Sequence, residues 1–235
     1  MRVTVVELPA TWGEPERALA EVDAILAAGP ATDLVLLPET SLTGYVSPAL
    51  DFDLTRFAEP LDGATAQALA DLARKHHTHL FGPLVLAEGG HMYNTTIGFA
   101  PTGRHVATYR KRHPWIPETW ASAGREPYPL FTIAGRTVTI ACCYDVHFLA
   151  DDAAGALDRA DVLLFPSAWV EQVSTRLRRL ERLAREHHLA IVAANWGRGR
   201  DLAVHGQGDS AILNATGDQL ARVTPPARRA DAELT

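Results

Sequence analysis

The run Asp33-Leu34-Val35-Leu36-Leu37, unbroken after its first residue and stopped by Pro38, constrains the fold most. A strand with one wet face alternates apolar and polar residues; a strand apolar on both faces is covered on both. Val162–Phe165 and Ala190–Ala194 read as further buried strands, and Val3 to Glu7 opens the chain as another. Between these lie helical patterns. Glu14 to Ala28 carries Leu19, Val22, Ile25 and Leu26 at helical spacing and ends at Gly29-Pro30. Ala64 to His77 places Ala68, Leu69, Leu72 and Ala73 on one side, Asp152–Arg159 reads as a short helix, and Val170 to His188 is a long amphipathic one. Leu80–Leu86, Tyr93–Ala100 and His105–Tyr109 read as strands, the last two joined by Pro101-Thr102-Gly103. Ala134-Gly135 turns Phe131–Ile133 into Arg136–Cys142, and Thr216-Gly217-Asp218 turns Gly208–Leu213 into Gln219–Val223. Strands outnumber helices in this α/β pattern. That favours two packed sheets with helices outside over one doubly wound sheet, though periodicity alone leaves both open.

The 235 residues contain no linker or repeat and read as a single domain over 1–235, with the tail from about residue 224 (Pro225-Pro226-Ala227-Arg228-Arg229) loosely held. No stretch approaches the roughly 20 apolar residues of a membrane span. The N-terminal run meets Glu7 and Pro9 too soon for a leader segment. A net charge of -6 argues against a nucleic-acid partner. The cluster Arg176, Arg178, Arg179, Arg182, Arg185, interleaved with Glu181 and Glu186, reads as a solvated helix face. The only cysteines are the neighbours Cys142 and Cys143, which a strand would aim at opposite faces. They supply neither a disulfide framework nor a Cys-rich metal site, so the expected compartment is a reducing cytoplasm.

Glu39, Lys111 and Cys143 each sit just past an expected strand, where α/β proteins gather ligand sites. Singly, each has an ordinary reading: a core thiol, a loop carboxylate, one surface cation among several. His76, His77 and His79, like His187 and His188, lie at helix ends without metal-ligand spacing, and no metal is expected.

The joint pattern is more specific. Pro38-Glu39-Thr40-Ser41-Leu42-Thr43-Gly44-Tyr45, Tyr93-Asn94-Thr95, Tyr109-Arg110-Lys111-Arg112-His113, Cys142-Cys143-Tyr144-Asp145 and Pro166-Ser167-Ala168-Trp169, in this order and spacing, resemble the nitrilase superfamily of carbon–nitrogen hydrolases. Leu61-Asp62-Gly63 and Gly208-Asp209-Ser210 also fit, so the likeness runs from Met1 to about Arg222. The resemblance implies a four-layer α-β-β-α sandwich, two mixed sheets with helices outside, and pairing into a homodimer. It places a catalytic triad on Glu39, Lys111 and Cys143, because Tyr144-Asp145 follows Cys143 as in the family pattern, and leaves Cys142 in the core. A second glutamate falls on Glu118, with Glu126 as its rival. Tyr45, Tyr144, His147 and Trp169 are the expected substrate contacts; Trp115, Trp120 and Trp196 also lie in or near motif segments. His147 stands where the family commonly has Arg, and Phe148-Leu149-Ala150 departs from the usual continuation, which puts the pocket wall in question.

The implied chemistry suits these side chains. A free thiol has a pKa of about 8.5, so Glu39 takes its proton while Lys111 favours the thiolate. Lys111 and the Tyr144 N–H stabilise the charge that grows on the substrate. A thioester on Cys143 then yields to water, and no step calls for a metal or an organic cofactor. The expected substrate is a small linear amide, with a nitrile or N-carbamoyl compound as alternatives; a non-catalytic binding protein on the same fold is the more remote one.

Overall fold

The computed structural model describes residues 1–170, 175–199 and 204–235. Strand β1 (Arg2–Val6), helix α1 (Pro15–Ala28), strand β2 (Leu34–Leu36), helix α2 (Ala64–Lys75) and strand β3 (His79–Glu88) open the chain. β1, β2 and β3 run parallel, as helical crossovers require. The antiparallel strands β4 (His91–Phe99) and β5 (His105–Arg110) extend the sheet.

The second half repeats the plan. β6 (Phe131–Ile133) and β7 (Arg136–Ile140) form a hairpin. Helices α3 (Leu149–Asp152) and α4 (Ala154–Leu157) lead to β8 (Val162–Pro166), and α5 (Thr175–His187) leads to β9 (Ala190–Ala194). β7, β8 and β9 are parallel, and β10 (Ala211–Leu213) with β11 (Gln219–Arg222) continues the sheet antiparallel. The last strand, β12 (Arg229–Glu233), returns to pair antiparallel with β1. Among the described residues the two sheets run β12-β1-β2-β3-β4-β5 and β11-β10-β9-β8-β7-β6.

Neighbouring residues of the buried strands go to opposite sides. Val3, Val5, Leu34, Leu36 and Phe81 join Val138 and Ile140 of the second sheet in one core, and Phe81 stacks on Phe131 with centroids 5.5 Å apart. Val6, Val35, Leu37 and Leu80 face outward onto Ala18, Val22 and Leu26 of α1 and Leu69 and Leu72 of α2. α1 presents these at i, i+4 and i+8, with Pro15 in its first turn and Gly29 at its end. Each such side chain stabilises the fold by about 1.5–3 kcal/mol. The result is a four-layer α-β-β-α sandwich, and double coverage explains why these strands are apolar throughout.

Four local expectations change. The tail is not loose: Arg229 to Glu233 pair with Val6 to Arg2, and Asp231 accepts the Thr4 hydroxyl at 2.6 Å. Asp152–Arg159 is not one helix, since α3 and α4 break at Ala153. β7 ends at Ile140 rather than Cys142, where the chain turns toward the site. Arg176 is not on the solvated face: it is fully buried and donates to the carbonyls of Gly208 (3.0 Å) and Asp209 (2.8 Å), while Arg178, Arg179, Arg182 and Arg185 are exposed. Residues 171–174 of the expected Val170–His188 helix lie outside the described residues.

Candidate active site

Cys142 and Cys143 follow the end of β7 and part company there. Cys142 is extended and its side chain is buried in the core. Its N–H donates to the Asp145 carboxylate at 2.9 Å, which closes a 3-10 turn over Cys143–His147. Cys143 bends with φ +47, in the left-handed region, and lines a pocket. Asp145 is held in turn by the Tyr109 hydroxyl (2.6 Å) and by the N–H and Nδ1 of His113 (2.9 and 3.0 Å). The Cys143 turn is thereby tied to the segment that carries Lys111.

Lys111 lies just beyond β5 and continues its ladder, with its N–H on the Asn94 carbonyl at 2.8 Å. Its ammonium is buried and donates to Glu39 Oε1 (2.7 Å) and Glu118 Oε1 (2.8 Å). Glu39 sits after β2 and Pro38. Its Oε1 also accepts Asn94 Nδ2 (2.8 Å), its Oε2 accepts the Ala168 N–H (2.8 Å), and its carbonyl accepts Trp196 Nε1 (3.0 Å). Glu118 closes a small loop by accepting the Trp115 N–H at 3.1 Å, and Asn94 Nδ2 reaches it at 3.2 Å. Glu126, the rival, lies outside this cluster: its side chain is 60% exposed and faces Arg110 at 3.6 Å.

Two carboxylates thus share one lysine, and their environments push them apart. Burial works against the Glu39 carboxylate, but Lys111, the Cys143 thiol and Asn94 outweigh it and hold its pKa below the ordinary value. Burial dominates at Glu118 and raises its pKa despite Lys111, with the Glu39 charge adding to the rise. Burial also disfavours the Lys111 ammonium, yet Glu39 and Glu118 together hold its pKa well above that of a free lysine. The Cys143 thiol is pushed well up by burial and by Glu39; Lys111 and the Ala168 N–H pull the other way and lose. Lys111 thus favours the thiolate, as its charge leads one to expect, while burial and Glu39 set the direction of the net shift.

The pocket encloses about 450 Å3, counting its open mouth, and is lined by Cys143, Tyr45, Trp115, Tyr144, His147 and Trp169, with Ala168 and Val170. Tyr45 stacks on Trp115 (centroids 6.1 Å apart) and His147 on Trp169 (6.0 Å). The four expected substrate contacts, Tyr45, Tyr144, His147 and Trp169, thus share one cavity with the thiol. Trp196 is buried behind it, edge-on to Tyr45, and neither Trp196 nor Trp120 lines the cavity. The sequence reading assigns no role to Asn94 or to the Ala168 N–H. Asn94, a polar residue in an expected strand, was the available signal; a backbone donor leaves none.

A buried carboxylate–ammonium pair beside a pocket thiol, set between two packed sheets, is an arrangement suited to acyl transfer. The chain belongs to the carbon–nitrogen hydrolase family, whose model matches residues 2–228. It is similar to the hydrolase in the pqqF 5' region of Pseudomonas protegens, 27% identical over 94% of this chain and 78% of that one. It is also similar to an (R)-stereoselective amidase of a Pseudomonas species, 26% identical over 90% and 77%. In fold it matches the crystal structure of an amidase from Nesterenkonia sp., with TM-score 0.87 and 24% identity, covering all of this chain and 90% of that one. A mutant of that amidase carries the acetamide moiety of fluoroacetamide on its active-site cysteine.

Proposed function

We propose that this carbon–nitrogen hydrolase cleaves small, neutral, non-peptide amides through a thioester on Cys143. The observation that carries the reading is the Glu39 carboxylate. Lys111, Asn94 and the Ala168 N–H fix its two oxygens, and it stands beside the thiol in the wall of an aromatic pocket.

The resting pair is thiol and carboxylate. As Sγ bonds to the amide carbon, its proton passes to Glu39. Negative charge builds on the amide oxygen, where Lys111 Nζ and the Tyr144 N–H stabilise it. The carbon–nitrogen bond then breaks, Glu39 returns its proton to the leaving nitrogen, and ammonia or an amine departs. Water attacks the thioester and gives a proton to Glu39. The carbon–sulfur bond breaks, the proton returns to sulfur, and the acid leaves. Glu118 keeps Lys111 in place.

The name of the similar (R)-stereoselective amidase supports an amide substrate. Aromatic walls suit an uncharged acyl group. The reading includes one catalytic domain and a homodimer in a reducing cytoplasm; no helix of the described residues is long and apolar enough to cross a membrane. Intact mass spectrometry during exposure to amides, nitriles and N-carbamoyl compounds tests it. An acyl adduct on Cys143 with ammonia release from amides is expected. Turnover of nitriles or N-carbamoyl compounds but of no amide would overturn the substrate class, and undiminished turnover by Cys143→Ala would overturn the mechanism.

A further inference from the structure

Ala168 supplies an N–H that meets Glu39 Oε2, and Trp169 beside it forms a pocket wall. What holds these two residues lies on the neighbouring strand. Asn195 follows β9, is fully buried, and uses both acceptor and both donor positions of its amide. Its Oδ1 accepts the Ser167 hydroxyl (3.0 Å) and the Trp169 N–H (2.7 Å); its Nδ2 donates to the Trp169 carbonyl (3.2 Å) and the Gly208 carbonyl (2.8 Å). It therefore grips the chain on both sides of Ala168 and fixes the plane of the Ala168 amide. The Gly208 carbonyl is also held by the buried Arg176, and the Asn195 N–H by Ser210, whose hydroxyl donates to Glu7 at 2.9 Å.

We propose that Asn195 is a positioning residue of the hydrolytic site: it aims the Ala168 N–H at Glu39 and seats Trp169 in the pocket wall, without touching substrate. This rests on Glu39 acting as the base. The charged and titratable groups that face Glu39 are Lys111, Glu118, Cys143, Cys142 and Tyr45, all of which an Asn195 variant leaves in place. Loss of the Ala168 hydrogen bond destabilises the ionised Glu39, so the acid limb of the rate moves to higher pH.

The test compares Asn195→Ala and the milder Ser167→Ala with wild type. It measures kcat and KM for neutral amides, their pH profiles, and the pH dependence of Cys143 alkylation by iodoacetamide, each normalised to folded protein by circular dichroism. In Asn195→Ala, kcat/KM is expected to fall roughly 10- to 100-fold, the size of a lost charge-assisted hydrogen bond, mainly through kcat. The acid limb is expected to rise, with a smaller shift of the same sign in Ser167→Ala. Should Asn195→Ala not fold, Ser167→Ala carries the comparison. Wild-type pH profiles for both kinetics and alkylation in the folded variants would overturn the proposal, as would a rate loss that follows only the folded fraction. If the wild type releases ammonia from no amide, the substrate reading fails, and alkylation alone still judges Asn195.

Discussion

At the scale of residues, the proton on Cys143 is the quantity to follow. Burial and Glu39 push the thiol's pKa up, so in the proposed mechanism each attack needs a base. Cys143→Ala is expected to lower kcat/KM by on the order of 10^4-fold or more, measured as ammonia release, with the thermal midpoint nearly unchanged. Iodoacetamide alkylation of the free protein is expected to keep accelerating as pH rises past about 8.5, the value of a free thiol; a plateau near neutrality would contradict a raised thiol pKa. Glu39 must be ionised to act, and its pKa lies below the usual 4.5. The rate on amides is therefore expected to hold down to about that pH and to fall below it, as seen in kcat/KM over the range where the protein stays folded. Glu39, Lys111 and Cys143 were legible because each is a charged or nucleophilic side chain at a strand end inside a motif. The roles of Asn94, Ala168 and Asn195 were not, although the first two lie in motif segments: a strand amide carries neither charge nor nucleophile to mark it, and Ala168 acts through its backbone.

At the scale of elements, β12 shows what periodicity misses. Its sequence, Arg229-Ala230-Asp231-Ala232-Glu233, does alternate, but the residues it turns toward the core, Ala230 and Ala232, are small and give only a weak apolar signal. It is held by its ladder to β1 and by polar side chains, with Asp231 taking bonds from Thr4 and Arg229. Asp231→Ala is expected to cost about 1–3 kcal/mol, read as a lower urea midpoint, while the kinetics of the folded fraction stay as in wild type. The central strands were legible for the opposite reason: double coverage leaves an uninterrupted apolar run. Arg176 was misread because a basic cluster on a helix is ordinarily solvated, and the carbonyls that claim it come from residues more than 30 positions away.

At the scale of the whole molecule, Phe81 and the buried charges join the halves. Phe81→Ala empties a site between the sheets and is expected to cost about 3–5 kcal/mol, measured by denaturant unfolding. Stability is also expected to fall at both ends of the pH range in thermal melts. Glu39 has a folded pKa below its unfolded one, so its contribution is present above about 4.5 and is lost as pH drops through the folded value. Lys111 has a folded pKa above 10.5, so its contribution is present below that and is lost as pH climbs through the folded value.

The site draws Glu39, Asn94 and Lys111 from one sheet and Cys143, Ala168 and Asn195 from the other. Neither sheet alone holds the Glu39 carboxylate, the Lys111 ammonium and the Cys143 thiol. During refolding, then, ammonia release is a stopwatch for the moment the two halves dock: secondary structure can return first, and turnover starts only once the faces have met in register.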